Sequence, residues 1–251
     1  MVTDNTKLRY AAHLPLAGIG ESGQQRINDS HVVLIGAGGL GCAAAQYLVS
    51  SGIGKLTLVD FDTVAESNLS RQILYKPSDL GRAKVDAAAD ALNMLNPDTS
   101  IATICERAGD TEMLALLRGC DLVIDASDNY GTRLAVNRSC LALKTAWIMG
   151  SCIRMEGQVL LLRPDLAEQA CYRCIYGQAP ETLEDCPGAG VFAPVAGIVG
   201  SSIAYFALGF VAGMQMPAGL HLFDARNWQW RTLKAGKNPD CKDCGKRPGE
   251  A

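Results

Sequence analysis

The stretch Val32-Val33-Leu34-Ile35-Gly36-Ala37-Gly38-Gly39-Leu40-Gly41 decides the fold class. Val32 to Ile35 is a short apolar run rich in β-branched residues, which predicts a buried strand. Gly36-x-Gly38-x-x-Gly41 follows directly, and Ala43 to Ser51 continues as a small-residue helix that Gly52 and Gly54 end. A strand, a glycine turn and a helix in that order are the context of a nucleotide-phosphate loop. The first glycine makes the tight turn, the second lets phosphate approach the backbone, and the third lets helix and sheet pack closely. Phosphate would sit on the N–H groups of the helix N-terminus.

Working outward, strand and helix alternate. A short amphipathic helix is expected over 21–29. Leu56 to Val59 is the next strand and closes on Asp60, 19 residues after Gly41, where a carboxylate can hold ribose hydroxyls. Arg82 to Asn96 is helical and stops before Pro97. Ile101 to Cys105 is a strand, and Thr111 to Leu117 a helix with Asp110 as its N-cap. Leu122 to Ile124, closing on Asp125, is a strand, followed by a helix over Thr132 to Leu143 and a strand over Ala146 to Met149. The alternation predicts a doubly wound, Rossmann-like, mostly parallel sheet. Gln158 to Leu162, Leu220 to Phe223 and Trp228 to Leu233 instead read as antiparallel strands. The last two flank the turn-rich Asp224-Ala225-Arg226-Asn227. With no Pro-, Gly- or Ser-rich linker in sight, residues 1–251 are expected to form one α/β domain with an antiparallel C-terminal extension.

Composition narrows the classes of function. The chain has 251 residues, 48% hydrophobic, with a net charge of −3. That balance excludes intrinsic disorder and argues against a general nucleic-acid binder. Gly188 to His221 carries no charged residue, long enough for a membrane span, but glycines and prolines interrupt it and no basic flank orients it. A buried core or interface helix, and no membrane, is the expectation. The opening Met1-Val2-Thr3-Asp4-Asn5 has no basic segment followed by an apolar one, so no signal peptide is expected. Cys42, Cys105, Cys120, Cys140, Cys152 and Cys186 are scattered singly, several in apolar runs. Cys171-Tyr172-Arg173-Cys174 and Cys241-Lys242-Asp243-Cys244 form two C-x-x-C pairs separated by 66 residues. Four thiolates so paired predict a closed, structural Zn²⁺ site clipping the C-terminal tail, in a reducing cytoplasm.

The glycine motif alone does not choose between a nicotinamide dinucleotide and ATP. Asp60-Phe61-Asp62-Thr63-Val64, Ser67-Asn68-Leu69-Ser70-Arg71-Gln72, Lys84 and Asp125-Ala126-Ser127-Asp128-Asn129 do. Two cations and further carboxylates at strand ends suit a triphosphate with Mg²⁺ better than a hydride carrier. Arg71 offers a bidentate fork to phosphate, Lys84 a point charge and Asp128 a Mg²⁺ anchor.

In combination, Gly-x-Gly-Gly-Leu-Gly, Asp-x-Asp-x-Val, Ser-Asn-Leu-x-Arg-Gln and Asp-Asn resemble the ThiF/MoeB/HesA family, the adenylating enzymes of sulfur-carrier and ubiquitin-like proteins. The resemblance covers about residues 7–245. Gly41 to Leu48, Asp60 to Val64 and Ile153-Arg154-Met155-Glu156-Gly157-Gln158 look closest to its molybdopterin branch. It implies that a small β-grasp sulfur carrier ending in Gly-Gly is adenylated by ATP, ahead of thiocarboxylate formation with a sulfur donor such as a sulfurtransferase. It implies Gly39, Asp60, Ser67, Asn68, Arg71, Lys84, Asp128 and Asn129 at the nucleotide, and a homodimer. Arg71, Lys84 and Asp128 are the expected catalytic groups. Gly36, Gly38, Gly41, Asp62, Leu69, Ser70 and Gln72 complete the expected nucleotide contacts. Alternatives are a thiamin-type or other biosynthetic carrier, a catalytically weakened carrier-binding paralogue, and a dehydrogenase, which leaves Ser67 to Gln72 and the cysteine pairs unexplained. Cys186, in Glu184-Asp185-Cys186-Pro187, corresponds to a segment where some relatives carry a reactive cysteine, although two neighbouring acids would not lower its pKa. One departure stands out. The family pattern Arg-Tyr-x-Arg-Gln, whose second arginine is expected to reach the partner subunit's ATP, reads Arg9-Tyr10-Ala11-Ala12-His13 here, with Arg9 or Arg26 as candidate substitutes.

Overall fold

The computed structural model describes residues 8–177 and 190–245. It has one eight-stranded sheet. The elements run α1 (Gly20–Asp29), β1 (His31–Ile35), α2 (Gly39–Ser50), β2 (Lys55–Val59), α3 (Lys84–Leu95), β3 (Ser100–Ile104), α4 (Asp110–Leu116), β4 (Leu122–Asp125) and α5 (Tyr130–Leu143). Then follow β5 (Trp147–Ile153), β6 (Glu156–Leu162), α6 (Tyr172–Tyr176), α7 (Ala193–Val211), β7 (Leu220–Asp224) and β8 (Gln229–Leu233). The spatial order is β3-β2-β1-β4-β5-β6-β7-β8. β3 to β5 pair in parallel, and β5 to β8 antiparallel. The expected doubly wound sheet with an antiparallel extension is therefore present.

Burial follows from the sequence. β1 and β4 are buried on both faces, and apolar from Val32 to Ile35 and from Leu122 to Ile124, because helices cover both sides of a parallel sheet. One core, including Val32, Leu34, Leu56, Ile124 and Val159, lies on the side of α2, α3 and α7. The other, including Val33, Val123, Trp147, Met149 and Tyr172, lies under α4 and α5. α7 packs along α2 so closely that a Cβ on Gly200 would stand 2.5 Å from the Leu40 carbonyl oxygen. By length and composition α7 could cross a membrane, but half of it is buried inside the fold.

Several boundaries differ from expectation. α2 begins at Gly39, so Gly39 and Gly41 belong to the helix itself and Gly38 is its N-cap. α4 is capped by Gly109; Asp110 is its first residue, and its carboxylate takes Arg138 instead. β5 runs on past Met149 to Ile153 because β6 pairs with it in full, from Trp147–Leu162 to Ile153–Glu156. Gly150-Ser151-Cys152 thus continues a hairpin strand, with Gly150 buried and Ser151 and Cys152 half-buried. Trp228 lies just before β8 with a positive φ of 52°, as part of the turn.

Candidate nucleotide site and cysteine cluster

The carboxyl ends of β1, β2, β4 and β5 converge where the sheet order reverses, the usual crevice of open α/β sheets. Gly36 leaves β1 with φ +91°, and a Cβ there would meet the Ala126 carbonyl oxygen at 2.8 Å. A Cβ on Gly41 would stand 1.9 Å from the Gly36 carbonyl oxygen, so only glycine closes this turn. Around Gly38 there is room, with the Gln72 amide nitrogen 3.8 Å from such a Cβ as the nearest neighbour. No side chain caps α2 and no acidic residue occupies its first turn, which leaves its N-terminus suited to an anion.

Asp60 accepts the Ala37 N–H at 2.7 Å through one oxygen and the Asp62 N–H at 2.9 Å through the other. Its carboxylate thus ties the glycine loop to the end of β2 and keeps free lone pairs on both oxygens. Tyr75 donates to the Ala37 carbonyl at 2.7 Å and braces the loop from beneath. Burial pushes the Cys42 thiol up to about 12, so this cysteine in the first turn of α2 is inert.

Lys84 is 6% exposed, and its ammonium meets the half-exposed Asp62 carboxylate at 2.8 Å. Arg71 follows the 3₁₀ turn Glu66–Asn68 and donates to the Ser67 carbonyl at 2.9 Å. Its stem lies beside Gly39, with Cγ 3.6 Å from where a Cβ would be. Gln72 is buried, and its amide oxygen has no hydrogen-bond partner among the described residues. Leu69 turns into the core, so only its backbone could serve a ligand, whereas Ser70 is exposed. Asp128 is exposed on the turn after β4, and Asn129 caps α5 by accepting the Thr132 N–H at 2.8 Å. Burial raises the Cys152 thiol to about 11 against the opposing pull of Arg71 and Arg133.

The structure thus places Gly36, Gly38, Gly39, Gly41, Asp60, Asp62, Arg71, Gln72, Lys84 and Asp128 on the turns and helix starts beyond the carboxyl ends of the parallel strands. Sequence reasoning missed Tyr75 and Arg133. Neither stands in a motif, and their roles depend on contacts with residues far along the chain. Of the candidate substitutes for an arginine at position 12, Arg26 is committed to the Ala212 carbonyl at the end of α7. Arg9 reaches the Leu95 carbonyl at 3.4 Å. Ala12 itself is exposed, while His13 bonds Gln24 at 2.8 Å. Cys186 lies outside the described residues.

The cysteine pairs come together as expected. The sulfurs of Cys171, Cys174, Cys241 and Cys244 all lie within 4.8 Å of one another. Cys171–Cys241 is 3.6 Å, Cys174–Cys244 3.3 Å and Cys171–Cys174 3.8 Å. Sulfurs at tetrahedral corners with 2.3 Å metal bonds are about 3.8 Å apart, so the cluster fits a Zn²⁺-sized ion and is too open for disulfides. Asp243 pairs with Arg173 at 2.8 Å and accepts from Asn137 at 2.9 Å, while Asn137 accepts the Tyr172 N–H at 2.9 Å. Through Asn137, α5 holds both knuckles.

The sequence and fold were compared with known proteins. The ThiF family model matches residues 10–243. The molybdopterin-synthase adenylyltransferase of Escherichia coli (strain K12) is 42% identical over 246 residues, covering 97% of this chain and 98% of that protein. The sulfur carrier protein ThiS adenylyltransferase of the same organism is 38% identical, covering 97% of each. Among solved structures, E. coli MccB with ATP is 22% identical with a TM-score of 0.80, over 89% of this chain and 69% of that one, a likeness of fold. Spanning nearly the whole sequence, these matches show that the chain belongs to the ThiF family.

Proposed function

We propose that this protein is an adenylyltransferase that activates the C-terminal carboxylate of a small β-grasp sulfur carrier ending in Gly-Gly, of the molybdopterin-synthase small-subunit type. One observation carries the reading. The open N-terminus of α2, the Lys84–Asp62 pair, Arg71 and Asp128 share one crevice, in a chain similar along its length to enzymes named for this reaction.

A C-terminal carboxylate, with a pKa near 3.5, is already ionised at neutral pH and needs no general base. One of its oxygens attacks the α-phosphorus of ATP. The bond to the bridging oxygen breaks, and pyrophosphate leaves with that electron pair, giving the acyl-adenylate. What remains is positioning and charge stabilisation. Asp60 orders the glycine loop and offers its remaining lone pairs to the ribose. Arg71 and Lys84 stand against the phosphates, with Ser67, Asn68, Gln72 and Asn129 as neighbouring polar contacts. Mg²⁺, held through Asp128, would neutralise phosphate charge. Zn²⁺ in the Cys171/Cys174/Cys241/Cys244 site is structural, because protein fills all four positions.

The chain acts as one adenylating domain in a homodimer, in the cytoplasm, with thiocarboxylate formation left to a separate sulfur donor such as a sulfurtransferase. The dimer reading rests on α7. Between α7 and β7–β8 lies an apolar groove of about 730 Å³ lined by Ile198, Tyr205, Phe206, Pro217 and Trp230. Tyr205 and Trp230 are 56% and 46% exposed, and an uncharged surface of this kind suits a second copy rather than water or lipid.

Carrier-dependent ATP–pyrophosphate exchange tests the proposal. Molybdopterin-type and thiamin-type carriers are compared, each with and without its terminal Gly-Gly. Exchange with an intact molybdopterin-type carrier, abolished by truncation, is expected. Exchange only with a thiamin-type carrier would move the chain to that branch, and none with any carrier would overturn the reading.

A further inference from the structure

Beneath the turn that carries Asp128 lies a buried charge cluster that the reaction above does not use. Asp125 ends β4 with no exposed surface. One of its oxygens accepts the Ser127 N–H at 2.9 Å and the Ser127 hydroxyl at 2.6 Å; the other has no hydrogen-bond partner among the described residues. Burial pushes this carboxyl above the ordinary carboxylate range, and the Arg133 guanidinium is the chief influence holding it down. Arg133 projects from the first turn of α5 and donates to the Ser127 carbonyl at 2.7 Å. Its Nε, like the second Asp125 oxygen, is buried with no hydrogen-bond partner among the described residues. On the opposite side, Gly36 touches Ala126 and Ser127 so closely that a Cβ would meet them at 2.8–3.0 Å. The turn is therefore held by the glycine loop above, by Asp125 and Arg133 below, and by the Asn129 cap at its end. A guanidinium can give one arm to a carbonyl and turn another edge to a carboxylate, whereas an ammonium is a point charge.

We propose that Arg133 is a positioning residue which, by holding the Ser127 carbonyl while Asp125 holds the Ser127 N–H and hydroxyl, fixes the turn presenting Asp128 to Mg²⁺–ATP. The proposal rests on the reading of Asp128 as the metal anchor. Its test needs no carrier. Binding of ATP to the full-length, metal-replete protein is measured by calorimetry over a Mg²⁺ series, with a thermal melt of each variant.

Arg133→Met is expected to raise the Mg²⁺ concentration at half-saturation about tenfold, the scale of an outer-shell loss. Arg133→Lys should give a smaller shift. In an Asp128→Ala background, Arg133→Met should add nothing, because the residue acts through Asp128. Arg133→Met with Asp125→Asn, which removes both buried charges, should keep the tenfold shift, since the clamp is still missing. The proposal is overturned by an unchanged Mg²⁺ dependence in Arg133→Met, by full additivity with Asp128→Ala, or by restoration in the charge-neutral pair. Should Arg133→Met fail to fold, Arg133→Lys decides: a wild-type Mg²⁺ dependence overturns the proposal. Wild-type protein that binds Mg²⁺–ATP but exchanges with no carrier would sink the assigned reaction and leave Arg133 testable. Wild-type protein that binds no Mg²⁺–ATP would sink both.

Discussion

The two halves of the sheet use opposite means. In the parallel half, from β3 to β5, the site is made of backbone: glycine turns, strand ends and a helix terminus, with a few charges laid over them. In the antiparallel half, from β6 to β8, the distinctive features are made of side chains: four thiols, an apolar helix face and exposed tryptophans. β1 and β4 are buried on both faces, whereas every residue of β8 is exposed. The parallel half tolerates little change because backbone cannot move aside. The antiparallel half depends on side chains: a thiol cluster that could hold a metal ion, and an apolar face.

That contrast can be broken at its strongest point first. Cys171→Ser removes one of the four thiols of the proposed closed zinc site. It should lower stability by more than about 4 kcal/mol, a loss reserved for mechanisms such as a missing metal. Urea unfolding and metal content by elemental analysis read this, and a wild-type protein without bound zinc would refute it. Gly41→Ala comes next. With its Cβ 1.9 Å from backbone, it should lose on the order of 3 kcal/mol together with ATP binding. Gly236→Ala, with nothing within 4 Å, should melt like the parent and serves as the control.

Lys84→Met separates chemistry from architecture. Exchange should fall about 10²-fold or more while the fold persists, since the partner Asp62 is half-exposed and can take water instead. The smallest effect belongs to Ala12→Arg. It restores the arginine of the family pattern on an exposed segment and should raise the exchange rate by about tenfold or less, well under the 10³–10⁵ that a trans arginine contributes elsewhere. An unchanged rate in an intact dimer would show that this protein dispenses with it.

The same contrast governs how much could be read from sequence. The glycine turn and the alternation from Val32 to Met149 were legible because each rests on local spacing. The cysteine pairs were legible because thiol chemistry fixes their use. The extension of β5 to Ile153 was not, since only pairing with β6 makes Gly150-Ser151-Cys152 a strand. Gly109 took the cap expected of Asp110 because Arg138, 28 residues away, claims the carboxylate. Arg133 and Tyr75 escaped notice for the same reason: their partners are set by topology.

The central position of β1 has a temporal consequence. Its far neighbour is β4, and the first N–H of β1 bonds the Asp121 carboxylate 90 positions later. The wall against which Gly36 turns therefore arrives only after that long loop has closed, an event slow to reward the entropy it takes up. Helices α2 and α3 can form early, but the phosphate cradle is a late product of folding. A nucleotide added during refolding should leave the early phases unchanged and hold back only unfolding, making ATP a reporter of the moment the sheet's two wings meet.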